Sequence, residues 1–195
     1  MTQPGTGPTT GWQRVSGRVV HENPWIVVTQ DEVVRPDGTP GTYGVVQLRS
    51  PAVFVVAVTE ADEVVLVRCD RYTTGPGWEV PAGGADDDDP LTAARRELGE
   101  EAGLVAAQWD DLGPVTSLNG VCRAPGRVFL AQGLSPAPER LEQAVEGISE
   151  VRRVPWAELL HMVAAGEVPD GETLAALLLA AVALGRVVGG PAPGA

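Results

Sequence analysis

A mixed α/β sandwich of the α+β kind, preceded by a separate antiparallel β section, is the architecture this sequence predicts. Three observations predict it: β-branched runs punctuated by turn residues fill the first 80 residues, later helical segments flank further strands, and no internal repeat is visible. A chain of 195 residues, 44% hydrophobic and 21% charged, supplies the core that one domain with additions requires.

The elements follow in order. Residues 12–49 alternate β-branched and polar positions around a turn at Asp37 and Gly38, which reads as an N-terminal antiparallel β section. Val53 to Val58 and Val64 to Arg68 make a second set of strands about the acidic turn Glu60 to Asp62. A short strand at Trp78, Glu79 and Val80 is stopped by Pro81. Asp89 offers an N-cap, Pro90 sits at the first helical position, and Leu91, Ala94, Leu98 and Ala102 recur at helical spacing until Gly103. Short strands are expected near Val115 and over Val128 to Ala131, then a polar loop from Pro136 to Gly147 and a strand over Val151 to Val154. Pro155 starts a helix through Val163, and Asp170 caps a last helix over Thr173 to Leu184. Residues 1–11 and 189–195, rich in Gly, Pro, Thr and Ala, offer nothing to pack and read as disordered tails.

Charge and composition exclude several functions. Fourteen basic residues stand against 26 acidic ones, a net charge of -12, so a nucleic-acid backbone or an anionic membrane would be repelled. Every basic residue is Arg, which removes Schiff-base chemistry and lysine-dependent phosphate loops. Cys69 and Cys122 are too few for a disulfide framework, and the N-terminus lacks a basic start and an apolar run, so a cytoplasmic location is expected. The apolar stretch Leu174 to Leu184 is shorter than the roughly 20 residues a membrane span needs and reads as a buried core helix.

On the helix after Pro90, Glu97, Glu100 and Glu101 stand at i, i+3 and i+4, within roughly 100° of one another about the axis. Three like charges there destabilise an isolated helix by about 0.2 to 0.5 kcal/mol per pair and call for a counter-charge. Arg95 and Arg96 supply part of it, and a hard divalent cation would supply more. The plain alternative is a solvated acidic face.

The residues around the three carboxylates decide between these. Arg96 to Leu104 read R-E-L-G-E-E-A-G-L, the pattern R-E-U-x-E-E-x-G-U with U aliphatic; a chance match in such a chain is on the order of one in a hundred thousand. The chain therefore resembles the Nudix hydrolases. That resemblance implies a Nudix α/β/α sandwich over residues 50–188 and Mg²⁺, or Mn²⁺ in its place, held by Glu97, Glu100 and Glu101. At the front of the motif, counting back from Arg96 puts Asp88 where the family pattern has Glu and Ala82 where it has Gly. Gly83 matches only if the loop is one residue shorter.

Arg71 and Tyr72, followed by Trp78 to Gly83, resemble the ADP-ribose pyrophosphatase branch. The resemblance implies that the Ala82 carbonyl is a metal ligand, that Arg71 holds the diphosphate, and that residues 12–49 join two copies in a homodimer, with Trp25 and Tyr43 sandwiching the base. Arg also has the bidentate fork suited to phosphate oxygens, whereas core packing is the competing role for Trp25. Glu79 is divided between supporting the metal and a salt bridge at the sheet edge. A mobile acidic loop carries the catalytic base in that branch, which points to Glu146, with Glu142 and Glu150 as competitors, beside Glu100 and Glu101. The expected reaction is hydrolysis of ADP-ribose, or a related nucleoside diphosphate sugar, to AMP and ribose 5-phosphate. The alternatives are another such substrate, for example GDP-mannose, or a non-catalytic nucleotide-sugar sensor. His21, His161, Ser117, Ser149 and Cys69 lack the context of ligands or nucleophiles, and Trp156 reads as an anchor for the late helix.

Overall fold

The computed structural model describes residues 11–138 and 147–187. The tails 1–10 and 188–195 and the segment 139–146, which holds Glu142 and Glu146, lie outside the described residues. The chain forms two units, one of residues 11–49 with 118–124 and the other of the remainder.

In the first unit β1 (Gln13–Glu22), β2 (Ile26–Val34) and β3 (Pro40–Leu48) form an antiparallel meander, and β9 (Cys122–Arg123) adds to β3 in parallel. Local polar chemistry shapes both turns. Asn23 Oδ1 accepts from the N–H groups of Trp25 and Ile26 at 2.9 Å, and Asp37 Oδ1 accepts from Thr39 N–H at 2.9 Å, with Gly38 supplying the positive φ of 82°. The Thr39 hydroxyl and N–H hold the Asp37 carboxyl below its ordinary 3.8. Among the described residues of this unit only Asp31, Val33 and Ala124 are buried, and all ten residues of β1 are exposed.

The second unit contains two sheets. One runs β7 (Ala82–Gly84), β4 (Ala52–Ala57), β10 (Pro125–Pro136), β8 (Leu104–Thr116), with β4 and β10 parallel; the other runs β11 (Ile148–Pro155), β5 (Glu63–Arg71), β6 (Gly75–Glu79) and is antiparallel. Strand alternation divides the core. Val53, Val55, Ala57 and Val65 pack with Ala94 and Leu98 of α1 (Pro90–Ala102). Phe54, Val56, Val64 and Leu66 pack with Leu159 of α2 (Trp156–Ala164) and Ala176, Leu177 and Ala180 of α3 (Gly171–Ala183). With both faces of β4 and β5 covered by helices, this unit is the α/β/α sandwich expected.

The helix signals hold because they are local. Asp89 accepts from the N–H groups of Leu91 and Thr92 at 3.1 Å, and Gly103 ends α1 with φ 65°. Two expectations change. The short strand near Val115 is the last part of the 13-residue β8, whose pairing with β10 runs from Leu104↔Pro136 to Thr116↔Pro125; Ala106, Gln108 and Asp110 carry no β signal, and the partner strand imposes their conformation. The apolar α3 buries one face only, leaving Leu178 and Val182 57% and 55% exposed, because it lies on the outside of the sheet. Among the described residues no helix is long and apolar enough to cross a membrane.

Candidate active site

Two short backbone segments and one helix face build the site. β7 pairs with β4 through Ala82↔Phe54 and Gly83↔Val53, which brings its backbone beside α1. Ala82 N–H donates to Glu101 Oε2 at 2.8 Å. A methyl group on Gly83 would lie 2.6 Å from Glu97 Oε2 and closer still to Oε1, so a larger residue here would displace the Glu97 carboxylate. Both candidates for the glycine position of the motif, Ala82 and Gly83, thus lie against the carboxylates of α1.

The three carboxylates differ in their surroundings. Glu97 and Glu101 are buried, 3% and 1% exposed, while Glu100 is partly exposed at the rim. Arg96 organises two of them: Nη1 is 2.8 Å from Glu97 Oε1 and 3.0 Å from Glu100 Oε2, and Nη2 donates to Gly84 O at 2.8 Å. Burial lowers the pKa of Arg96, but the charges of Glu97 and Glu100 outweigh it and raise the value above the ordinary one. Asp88 meets Arg96 only at 3.8 Å. Among the described residues no three Asp, Glu, His or Cys side chains converge as a metal cage, since Glu97 and Glu100 converge on Arg96. The donor set itself is hard, anionic oxygen, which suits Mg²⁺ or Mn²⁺, and a cation there would take over the neutralising role of Arg96.

Beside this helix face opens a cleft of about 550 Å³, lined among others by Phe54, Arg71, Glu79, Ala82, Gly83 and Glu172. Arg71 ends β5 and Glu79 ends β6. Arg71 Nη2 donates to Glu79 Oε2 at 2.6 Å, with Nε at 3.2 to 3.3 Å from both oxygens, and that hydrogen bond raises the pKa of Arg71 above its ordinary value. Glu79 thus makes the salt bridge that its sheet-edge reading expects. Asp170, which also lines the cleft, caps α3 by accepting from Thr173 N–H at 2.7 Å. Burial raises the Glu172 carboxyl above its usual 4.5, the Ser117 hydroxyl opposes this, and the hydrogen bond to Asp170 adds to it. Burial also acts to raise Asp170, but hydrogen bonds from Glu172 and Thr173 prevail and bring it below 3.8. Sequence reasoning gave Asp170 only a capping role and missed Glu172; nothing local connects either residue to Arg71, about 100 residues earlier.

Of the expected base-binding residues, Trp25 is 73% exposed. Tyr43 donates its hydroxyl to Gly120 O at 2.5 Å, and its ring stands edge-on to Trp12 at 5.4 Å. Both residues belong to the first unit. Glu150 is exposed on β11, while Glu146 lies outside the described residues. His21 and His161 are exposed, Cys69 is buried, and Trp156 is packed in the core under Arg186 at 4.8 Å.

Comparison with known proteins agrees with this geometry. Residues 48–178 match the NUDIX domain, and residues 12–46 match the nucleoside diphosphate sugar hydrolase N-terminal domain. An ADP-ribose pyrophosphatase of Mycobacterium tuberculosis is 30% identical over 170 residues, 86% of this chain and 82% of the relative. A CMP-5'-(N-acetyl-N-hydroxy-3-aminopropyl)phosphonate hydrolase of Streptomyces rubellomurinus is 29% identical over 171 residues, 86% of this chain and 81% of the relative. The crystal structure of an ADP compounds hydrolase superposes with a TM-score of 0.77 at 20% identity, over 93% of this chain and all of that one, which establishes the likeness of fold.

Proposed function

The chain belongs to the Nudix family, and on that premise we propose that it hydrolyses the diphosphate bond of ADP-ribose or a closely related nucleoside diphosphate sugar, releasing AMP and ribose 5-phosphate from ADP-ribose. It is a Nudix hydrolase with the N-terminal section of nucleoside diphosphate sugar hydrolases. The observation that carries the reading is the pair of buried carboxylates, Glu97 and Glu101, set against the Ala82–Gly83 backbone at the edge of a cleft lined by Arg71.

Nudix hydrolases generally use divalent ions. Here Glu97, Glu100, Glu101 and the Ala82 carbonyl would hold Mg²⁺, or Mn²⁺, and the bound ion would neutralise the diphosphate and acidify the attacking water. Arg71 offers its guanidinium to the diphosphate oxygens. Trp25 and Tyr43 present aromatic faces to the base, and the exposure of Trp25 supports that role. Glu146 takes the proton from water, with Glu100 and Glu101 of the helix as the other candidates. Homodimerisation through residues 12–49 is supported by the exposure of β1, and a chain with Cys69 and Cys122 as its two cysteines supports a cytoplasmic setting.

Two other readings have an observation each. The Streptomyces relative acts on a CMP-linked phosphonate, which favours a different leaving group. The engagement of Glu97 and Glu100 by Arg96 favours a nucleotide-sugar sensor without cleavage. A panel of ADP-ribose, GDP-mannose and a CMP-linked phosphonate, incubated with Mg²⁺ and resolved by phosphorus NMR, separates the three. AMP with ribose 5-phosphate as the fastest-forming products is the expected outcome; binding of ADP-ribose with no turnover contradicts it.

A further inference from the structure

The contact between Arg71 and Glu79 is more than a surface ion pair. The register of β5 and β6 sets Val67 opposite Glu79 and Arg71 opposite Gly75, so alternation puts Val67, Cys69, Arg71 and Glu79 on one face, the face on which Val67 and Cys69 pack with Ala102 at the end of α1. Arg71 therefore reaches diagonally to Glu79. The two partners differ in exposure: the Glu79 side chain is 12% exposed and that of Arg71 is 41% exposed, so the carboxylate is the fixed end and the guanidinium the presented one.

The edge that Glu79 uses is also specific. Its oxygens take Nε and Nη2, on one side of the planar guanidinium. A guanidinium carries five N–H groups, so the Nη1–Nη2 fork is the edge left for a ligand in the cleft, and that fork matches two phosphate oxygens. A second carboxylate, Glu101, lies within electrostatic reach of Arg71. Without Glu79, the flexible Arg71 side chain is released to pair with Glu101, and settling there would remove the phosphate fork and neutralise a carboxylate of the helix.

We propose that Glu79 is a positioning residue: it anchors Arg71 by the Nε–Nη2 edge, aims the remaining fork at the substrate diphosphate, and keeps the guanidinium off Glu101. This rests on the reading of the cleft as a diphosphate site. Glu79 then acts through Arg71 and is silent when Arg71 is absent.

The test is a double-mutant cycle of E79Q, R71A and R71A/E79Q, scored by kcat and KM for ADP-ribose and by the calorimetric Kd for its non-hydrolysable α,β-methylene analogue. E79Q should raise KM and Kd by about 10-fold with a much smaller change in kcat, as expected for losing one charge-assisted contact to phosphate. Adding E79Q to R71A should change neither value further. Thermal unfolding monitors the fold; should E79Q fail to fold, R71K, which keeps the charge and loses the fork, should raise KM and Kd to the same extent. Unchanged affinity in E79Q, or in R71K where it replaces E79Q, overturns the positioning role while leaving the functional reading intact. An E79Q effect as large in the R71A background as in the wild type overturns it equally. Failure of the wild-type protein to bind the analogue at all removes the functional reading, and this inference with it.

Discussion

Glu172 and Asp170 line one cleft and are driven in opposite directions by it. Because the folded protein prefers Glu172 protonated, its contribution to stability is full below pH 4.5 and is lost as pH rises through the higher folded value. Asp170 behaves oppositely: its contribution is present above 3.8 and is lost as pH falls through the lower folded value. Urea unfolding of wild type and E172Q from about pH 4 to about pH 7, above the range in which Asp170 titrates, isolates the Glu172 contribution. The wild type should lose stability relative to E172Q as pH rises, and a difference that stays constant with pH contradicts the assignment. Residue identity made the Glu97, Glu100 and Glu101 triplet legible in the sequence, since their spacing is fixed by the helix itself. Arg96 as a counter-charge was legible as well, but which carboxylates it engages and the placement of Asp170 and Glu172 in the cleft were not, because side-chain choice and tertiary approach decide them.

Among the elements, α1 was readable end to end. Asp89, Pro90 and Gly103 each act within one turn, and the helix begins and stops where their chemistry directs. β8 was not, because its 13 residues are extended by pairing with β10 and not by their own preference. β1 is the element whose exposure asks for a partner: Val15, Val19 and Val20 are 68%, 54% and 45% exposed on a strand with no buried residue. A three-strand meander with so little core gains stability by covering such a strand, which is the physical support for the proposed homodimer. Light scattering should give a dimer mass for the wild type and a monomer mass for V19E; a wild-type monomer at micromolar concentration removes the dimer.

At the scale of the molecule, the sandwich was foreseen from the mixture of strands and flanking helices, and β4 realises it by sending Val53, Val55 and Ala57 to α1 and Phe54 and Val56 toward α2 and α3. That arrangement holds β7 against the carboxylate face of α1, so the fold places backbone and helix side chains together at the edge of the Arg71 cleft. In the proposed reaction the α1 carboxylates hold a divalent ion required for splitting the diphosphate. The most direct test of that role is the initial rate of ADP-ribose hydrolysis against Mg²⁺ concentration for wild type and E101Q. The wild-type rate should vanish in chelator and saturate with Mg²⁺, and E101Q should fall by about 100-fold at saturation, or about 3 kcal/mol of transition-state stabilisation. Chelator-insensitive hydrolysis, or a wild-type rate in E101Q, would contradict it.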